Sequence, residues 1–226
     1  MIQPYIDTDI EQLLTTFEDN GGRVKFYLYT IDSKENVYHK HLEVAKQTLI
    51  EVAKEINLYL DKIAAKDKLN REKLFTMDYD FTLLKSSGKE IDLETFMGWQ
   101  YDAGAHSVLI QGLHSLFNEY FYYNTPEDSK HIVKREDENT IKGLAYAFLN
   151  PPYGFHINKN LYDTGAFFLN CCDTLFTDLS QIEVYEWSTD CSNYFDIGKD
   201  WWGTFFYTVY NPLRDCYIGI VASESD

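Results

Sequence analysis

Apolar and polar residues change their spacing several times along the chain, and each change predicts an element. The clearest pattern runs from Tyr38 to Ala65, where Leu42, Ala45, Leu49, Val52, Ile56, Leu60 and Ile63 recur at intervals of three and four. That is one face of a long amphipathic helix, with lysines and glutamates on the other. Upstream, Val24, Phe26 and Leu28 alternate with Lys25, Tyr27 and Tyr29, the period of a strand. Thr8 followed by Glu11 spells a capping box, so a short helix is expected to open there. It should stop near Asp19, ahead of Asn20-Gly21-Gly22.

Residues 75–88 carry a mixed pattern, read as a strand before Ser86-Ser87-Gly88. From Ile91 or Asp92 to about Tyr122, apolar positions including Phe96, Trp99, Val108 and Leu109 predict a second long helix. Gly98, Gly104 and Gly112 would each cost it roughly 1 kcal/mol relative to alanine. Either the helix breaks near Gly104, or small residues admit a close neighbour. Residues 124–139, "NTPEDSKHIVKREDEN", read as an exposed charged loop, and Asn160–Phe176 as an unusually apolar third helix. Beyond Leu179, Ile182–Trp187 alternates, and the C-terminal stretch reads as two strands joined by a turn at Asn211-Pro212. The order predicts one α+β domain over residues 1–226. A C-terminal antiparallel meander plus the N-terminal strand should pack one face against several long helices.

Composition adds partner chemistry. At 226 residues the chain can bury a core without disulfides or metal. Its formal net charge of −16 repels nucleic acid and anionic membrane and favours a basic protein partner. No apolar run is long enough to span a bilayer, so no membrane association is expected. The first residues lack a basic region followed by an apolar stretch, which predicts no secretory signal and a cytoplasmic protein. Cys171, Cys172, Cys191 and Cys216 are then expected as buried, reduced thiols, with Cys191 in its polar loop the most exposed.

Two constellations could carry chemistry. Asn150-Pro151-Pro152-Tyr153, at the end of the apolar run "LAYAFL", resembles the catalytic loop of amino-group methyltransferases acting on adenine. The resemblance implies a buried strand leading into the loop, Asn150 accepting from the target amino group, Tyr153 stacking on a flipped base, and S-adenosylmethionine as methyl donor. It covers four residues. The family's Phe-x-Gly-x-Gly element has no counterpart upstream, and downstream Asp163-Thr164-Gly165-Ala166-Phe167 has one glycine too few. The simpler reading is a rigid turn, in which one of the two prolyl bonds could be cis. Asp102 and His106, four apart, would meet on one helical face as the start of a general base, but no nucleophile completes it. No metal-ligand spacing, phosphate-binding loop or dinucleotide fingerprint is present, so neither metal nor cofactor is expected.

Thr177–Trp202 differs in kind. Six carboxylates and one lysine alternate there with Tyr185, Trp187, Tyr194, Trp201 and Trp202. Strand alternation should turn Tyr185 and Trp187 into the core. Asp190, Tyr194, Asp196, Asp200, Trp201 and Trp202 remain as a candidate partner-binding surface, since Trp and Tyr anchor interfaces and carboxylates steer basic partners. The expectation is an acidic protein-binding domain, such as an immunity or inhibitor protein masking a basic toxin or nuclease. The alternative is a small-molecule enzyme, a methyltransferase on the double-proline turn, with Asn150, Tyr153, Asp102 and His106 lining its pocket.

Overall fold

The computed structural model describes residues 1–111, 119–122, 133–134, 142–200 and 202–224. The chain opens with β1 (Ile2–Pro4), α1 (Thr8–Asp19), β2 (Lys25–Ile31) and the long α2 (Val37–Asp67). Then come α3 (Phe81–Ser87), β3 (Lys89–Ile91), α4 (Leu93–Met97), β4 (Tyr101–Asp102), β5 (Ser107–Gln111), β6 (Glu119–Tyr122) and β7 (Val133–Lys134). The last elements are α5 (Leu144–Leu149), α6 (Leu161–Phe176), β8 (Glu183–Glu186), β9 (Thr204–Asn211) and β10 (Cys216–Ser223). The strands form two antiparallel sheets, a large one in the order β1-β2-β10-β9-β8-β3 and a small one in the order β4-β5-β6-β7. This is the α+β class that the pattern predicts, with the C-terminal meander and the N-terminal strand in one sheet.

The helices cover both faces of that sheet, not one. Every residue of β10 is buried. Ile218, Ile220 and Ala222 point to the core shared with α1, α5 and α6, whereas Val221, with Phe206 of β9, points to α2. A strand buried on both sides reads as a continuous apolar run, which is why the layer count is hard to see from alternation.

The α2 face is the tighter one. Asn36 caps the helix by accepting from His39 N–H (3.0 Å), and Leu42, Ala45, Leu49 and Val52 lie buried against the sheet. At Gly219 of β10 the helix comes so close that a Cβ would stand 1.8 Å from Thr48 Oγ1. Hydrogen is the only side chain that fits there. Alongside sits a buried polar cluster. His41 Nδ1 lies 2.8 Å from Thr208 Oγ1, and Trp187 Nε1–H donates to that same oxygen at 2.9 Å. Tyr185 packs on the imidazole with ring centroids 4.5 Å apart. Burial lowers the His41 pKa to about 3, against which its hydrogen bond to Thr208 acts weakly, so the ring is neutral.

Several local expectations need correction. Asp7, not Thr8, caps α1, accepting from Asp9 N–H and Ile10 N–H (3.1 and 3.2 Å). Residues 81–87 are helical because Asp80 accepts from Thr82 N–H and Leu83 N–H. The second long helix stops at Met97, where Gly98 takes φ +79° and a Cβ would collide with Lys142 O at 2.3 Å. Beyond it the chain makes the β4–β5 hairpin. "LAYAFL" is the helix α5, not a strand. The predicted loop 124–139 lies outside the described residues, except for Val133–Lys134 in β7. Among the described residues no helix is long and apolar enough to cross a membrane. All four cysteines are free and buried, Cys191 included; burial pushes its thiol up to about 12 and that of Cys216 up to about 11.

Two predictions follow from the α2 interface. Gly219→Ala is expected to lower the urea midpoint by an amount equivalent to about 1–3 kcal/mol, and adding Thr48→Ala should restore part of it. For His41, the unfolded state takes up a proton near its ordinary value of 6.5, while the folded ring waits until about 3. Stability present above pH 6.5 is therefore lost as pH falls, by about 1.4 kcal/mol per unit. Urea titrations at pH 7.0 and 5.5 should show that loss in the parent chain and a smaller one in His41→Gln.

Candidate functional site

The double-proline segment is a brace. Asn150 ends α5, its N–H bonded to Tyr146 O (2.9 Å), and Gly154 N–H closes the turn on Pro151 O (2.9 Å). Both prolyl bonds are trans. The Asn150 amide is occupied on both sides: its Oδ1 accepts from Gln100 Nε2 (3.0 Å) and its Nδ2 donates to Gln111 Oε1 (3.2 Å). Tyr153 faces outward and lies under the Arg23 guanidinium, 5.7 Å from ring centroid to Cζ.

Asp102 and His106 do not pair. The hairpin turns His106 into the left-handed region at φ +43°, and Asp102 Oδ1 accepts from Ala105 N–H instead (3.0 Å). The carboxylate beside His106 is Asp173 of α6, 3.2 Å from Nε2, while Nδ1 meets Tyr101 Oη at 2.9 Å. Burial, with Cys172, Asp173 and Asp102 nearby, pushes the Tyr101 phenol up to about 12. The imidazole and Asp173 are both well exposed, which suits a tie between the small sheet and α6.

The acidic, aromatic segment builds a surface together with a part of the chain that charge counting overlooks. Ser192 Oγ donates to Asp78 O (2.7 Å), Asn193 Oδ1 accepts from Asp78 N–H (2.9 Å), and Asn193 Nδ2 donates to Thr76 O (2.9 Å). These bonds lock residues 76–80 to the 3-10 turn Asn193–Gly198. Opposite that turn is the second half of α2, which runs past the sheet. Between them lies an apolar cleft of about 820 Å³, lined by Ile56, Tyr59, Phe75, Tyr194 and Ile197. Tyr59, Ile197 and Phe75 are 64%, 55% and 44% exposed. Glu18, Glu55 and Glu224 stand on the rim with Arg23 and Lys25, which are paired to Glu224 (3.7 Å) and Glu55 respectively.

The expected partner-binding residues divide accordingly. Tyr194 lines the cleft, and burial raises its phenol pKa. Asp190, Asp196 and Asp200 are exposed. Asp190 and Asp196 share Lys199 (2.8 and 3.0 Å), whose pKa their hydrogen bonds raise. Trp202 is a correction: its ring is buried, packed edge-on against Phe205 with centroids 5.5 Å apart, because Gly203 (φ +118°) folds the chain back onto Gly198 O. Trp201 lies outside the described residues. Trp187 is buried as alternation requires, and Tyr185 half-buried.

Tyr59, Phe75 and Ile197 are the cleft residues that sequence reasoning missed. A signal existed. The apolar stripe of α2 continues to Ile63 over 31 residues, about 46 Å of helix, whereas its eight-residue partner strands reach only about 27 Å. The surplus stripe has no sheet to cover. Compared with family models, curated proteins and solved structures, the chain matches none, so geometry alone carries the functional argument.

Asn150→Ala removes one partner of the buried Gln100 amide and is expected to cost about 1–2 kcal/mol of stability by urea titration. His106→Ala, at an exposed tie, should change stability by less than that.

Proposed function

We propose that the protein binds a basic protein partner at the cleft between α2 and the Asn193–Gly198 turn. The observation that supports this reading is the exposed apolar group Tyr59, Phe75 and Ile197 lining one cleft, with Ile197 in the same segment of chain as the exposed carboxylates Asp190, Asp196 and Asp200. Exposed apolar patches rimmed by polar groups mark interaction sites. The carboxylates would raise the rate of encounter with a cationic surface, and the cleft would take an apolar anchor from the partner. In its most specific form, the chain is a cytoplasmic immunity or inhibitor protein that masks the cationic site of a toxin or nuclease. Four unpaired thiols fit a reducing compartment.

The test is capture from the native cell at low salt, in parallel with Ile197→Asp and with an Asp190→Asn/Asp196→Asn/Asp200→Asn variant. The parent chain should retain a basic protein that both variants lose. With that partner purified, affinity should fall by at least about tenfold between 50 and 300 mM NaCl. Asn150→Ala and His106→Ala should bind like the parent, and S-adenosylmethionine should leave the melting temperature unchanged. A partner of neutral or acidic character, or an affinity indifferent to salt, contradicts the proposal.

A further inference from the structure

The large sheet has an edge that its own chain leaves uncovered. β1 lies beside β2 only over Tyr29–Ile31. Tyr5 N–H then donates to Leu28 O (2.8 Å), and the chain turns away into α1. That bond sets the parity of the ladder: even-numbered residues of β2 direct their backbone groups toward β1, and odd-numbered ones toward β10. Phe26 N–H, Phe26 C=O and Leu28 N–H therefore point out of the sheet, where no further strand lies alongside among the described residues. The open stretch Lys25–Leu28 is about 13 Å long at roughly 3.3 Å per residue, room for three or four residues of added strand.

This edge is the floor of a cavity of about 440 Å³. α1 forms one wall with Ile10, Glu11 and Leu14. α2 forms the other with Gln47, Glu51 and Glu55, spaced four apart on one face of the helix. Asp7, Glu11, Glu51 and Glu55 give the lining four carboxylates; Arg214, Lys54 and Lys25 pair with Asp7, Glu51 and Glu55 from outside it, and Glu11 has no ion pair among the described residues. Tyr29, only 4% exposed, also lines the cavity, and its hydroxyl finds no hydrogen-bond partner among the described residues. The hydroxyl hydrogen of neighbouring Thr48 goes to Val44 O (2.8 Å). Open edges are ordinarily blunted by covering or by charge on the strand itself. Here the strand's own charge, Lys25, is tied to Glu55 on the wall, and the charged side chains of the lining itself are carboxylates.

We propose that this groove receives an extended, basic segment of a partner protein by strand addition to β2. Backbone bonds to Phe26 and Leu28 would give affinity, and Lys or Arg at alternate positions would reach Glu11 or Glu51 and give selectivity. Apart from Glu55 and Lys25, the groove uses different residues from the cleft at Ile197, and it stands independently of the function proposed there.

The test is amide hydrogen exchange by NMR on the full chain, with the capped peptide Lys-Val-Lys-Val-Lys-Val as probe. In the free protein Phe26 and Leu28 N–H should exchange about tenfold or more faster than Tyr27 and Tyr29 N–H, which face β10. Millimolar peptide should slow Phe26 and Leu28 about tenfold, whereas a valine–glutamate peptide should not. A Glu11→Gln/Glu51→Gln variant should need several-fold more of the lysine peptide. Protection of Phe26 and Leu28 without peptide overturns the proposal. So do protection that grows with protein concentration, which would assign the edge to a second copy, no slowing by the lysine peptide, and equal slowing by both peptides.

Discussion

Gly219 of β10 and Thr48 of α2 meet with no room for a methyl group between them, and the direction of α2 across the sheet is set there. A close-packed interior does not deform continuously, so a contact this tight selects one seating of the helix. The polar cluster next to it adds a second restraint. Thr208 Oγ1 serves His41 and Trp187 at once, joining helix, β9 and the end of β8 through one buried oxygen. Removing any member would leave a buried polar atom without a partner, which costs more than the bond itself contributes.

Both candidate sites inherit their geometry from that seating. Because α2 is anchored over its first half, its second half projects beyond the sheet, and Ile56 and Tyr59 become a wall of the apolar cleft. The same anchoring turns Gln47, Glu51 and Glu55 toward the edge of β2. One helix thus presents an apolar surface on one side of its axis and a carboxylate row on another.

The elements legible in the sequence are those whose periodicity serves one purpose. The stripe of α2 and the alternation of β2 show this directly, whereas β9 and β10, buried on both faces, were legible as two apolar runs parted by a turn. α6 was legible as well, because Asn160 caps it and Phe176 closes it. The stretch from Asp92 to Tyr122 was not, since Gly98 ends the helix through a contact with Lys142, 44 positions away, that no local pattern can register. Asp80 as a helix cap was visible in principle, but residues 75–88 carry a mixed pattern that reads equally as a strand. The acidic surface was half legible: charge located Asp190, Asp196 and Asp200, while the burial of Trp202 and the contribution of Phe75 depend on how distant loops fold together. The Asn150 turn shows the hazard of a short motif, because the same four residues serve here to hold α5 to β5 through two glutamines.

The seating of α2 on β10 can be observed directly in the free protein by nuclear Overhauser spectroscopy. Strong cross-peaks are expected from the Thr48 methyl group to the Gly219 α-protons, together with cross-peaks from the His41 ring to Tyr185 and Thr208. Their absence, with Thr48 instead seeing solvent or another strand, would contradict the account.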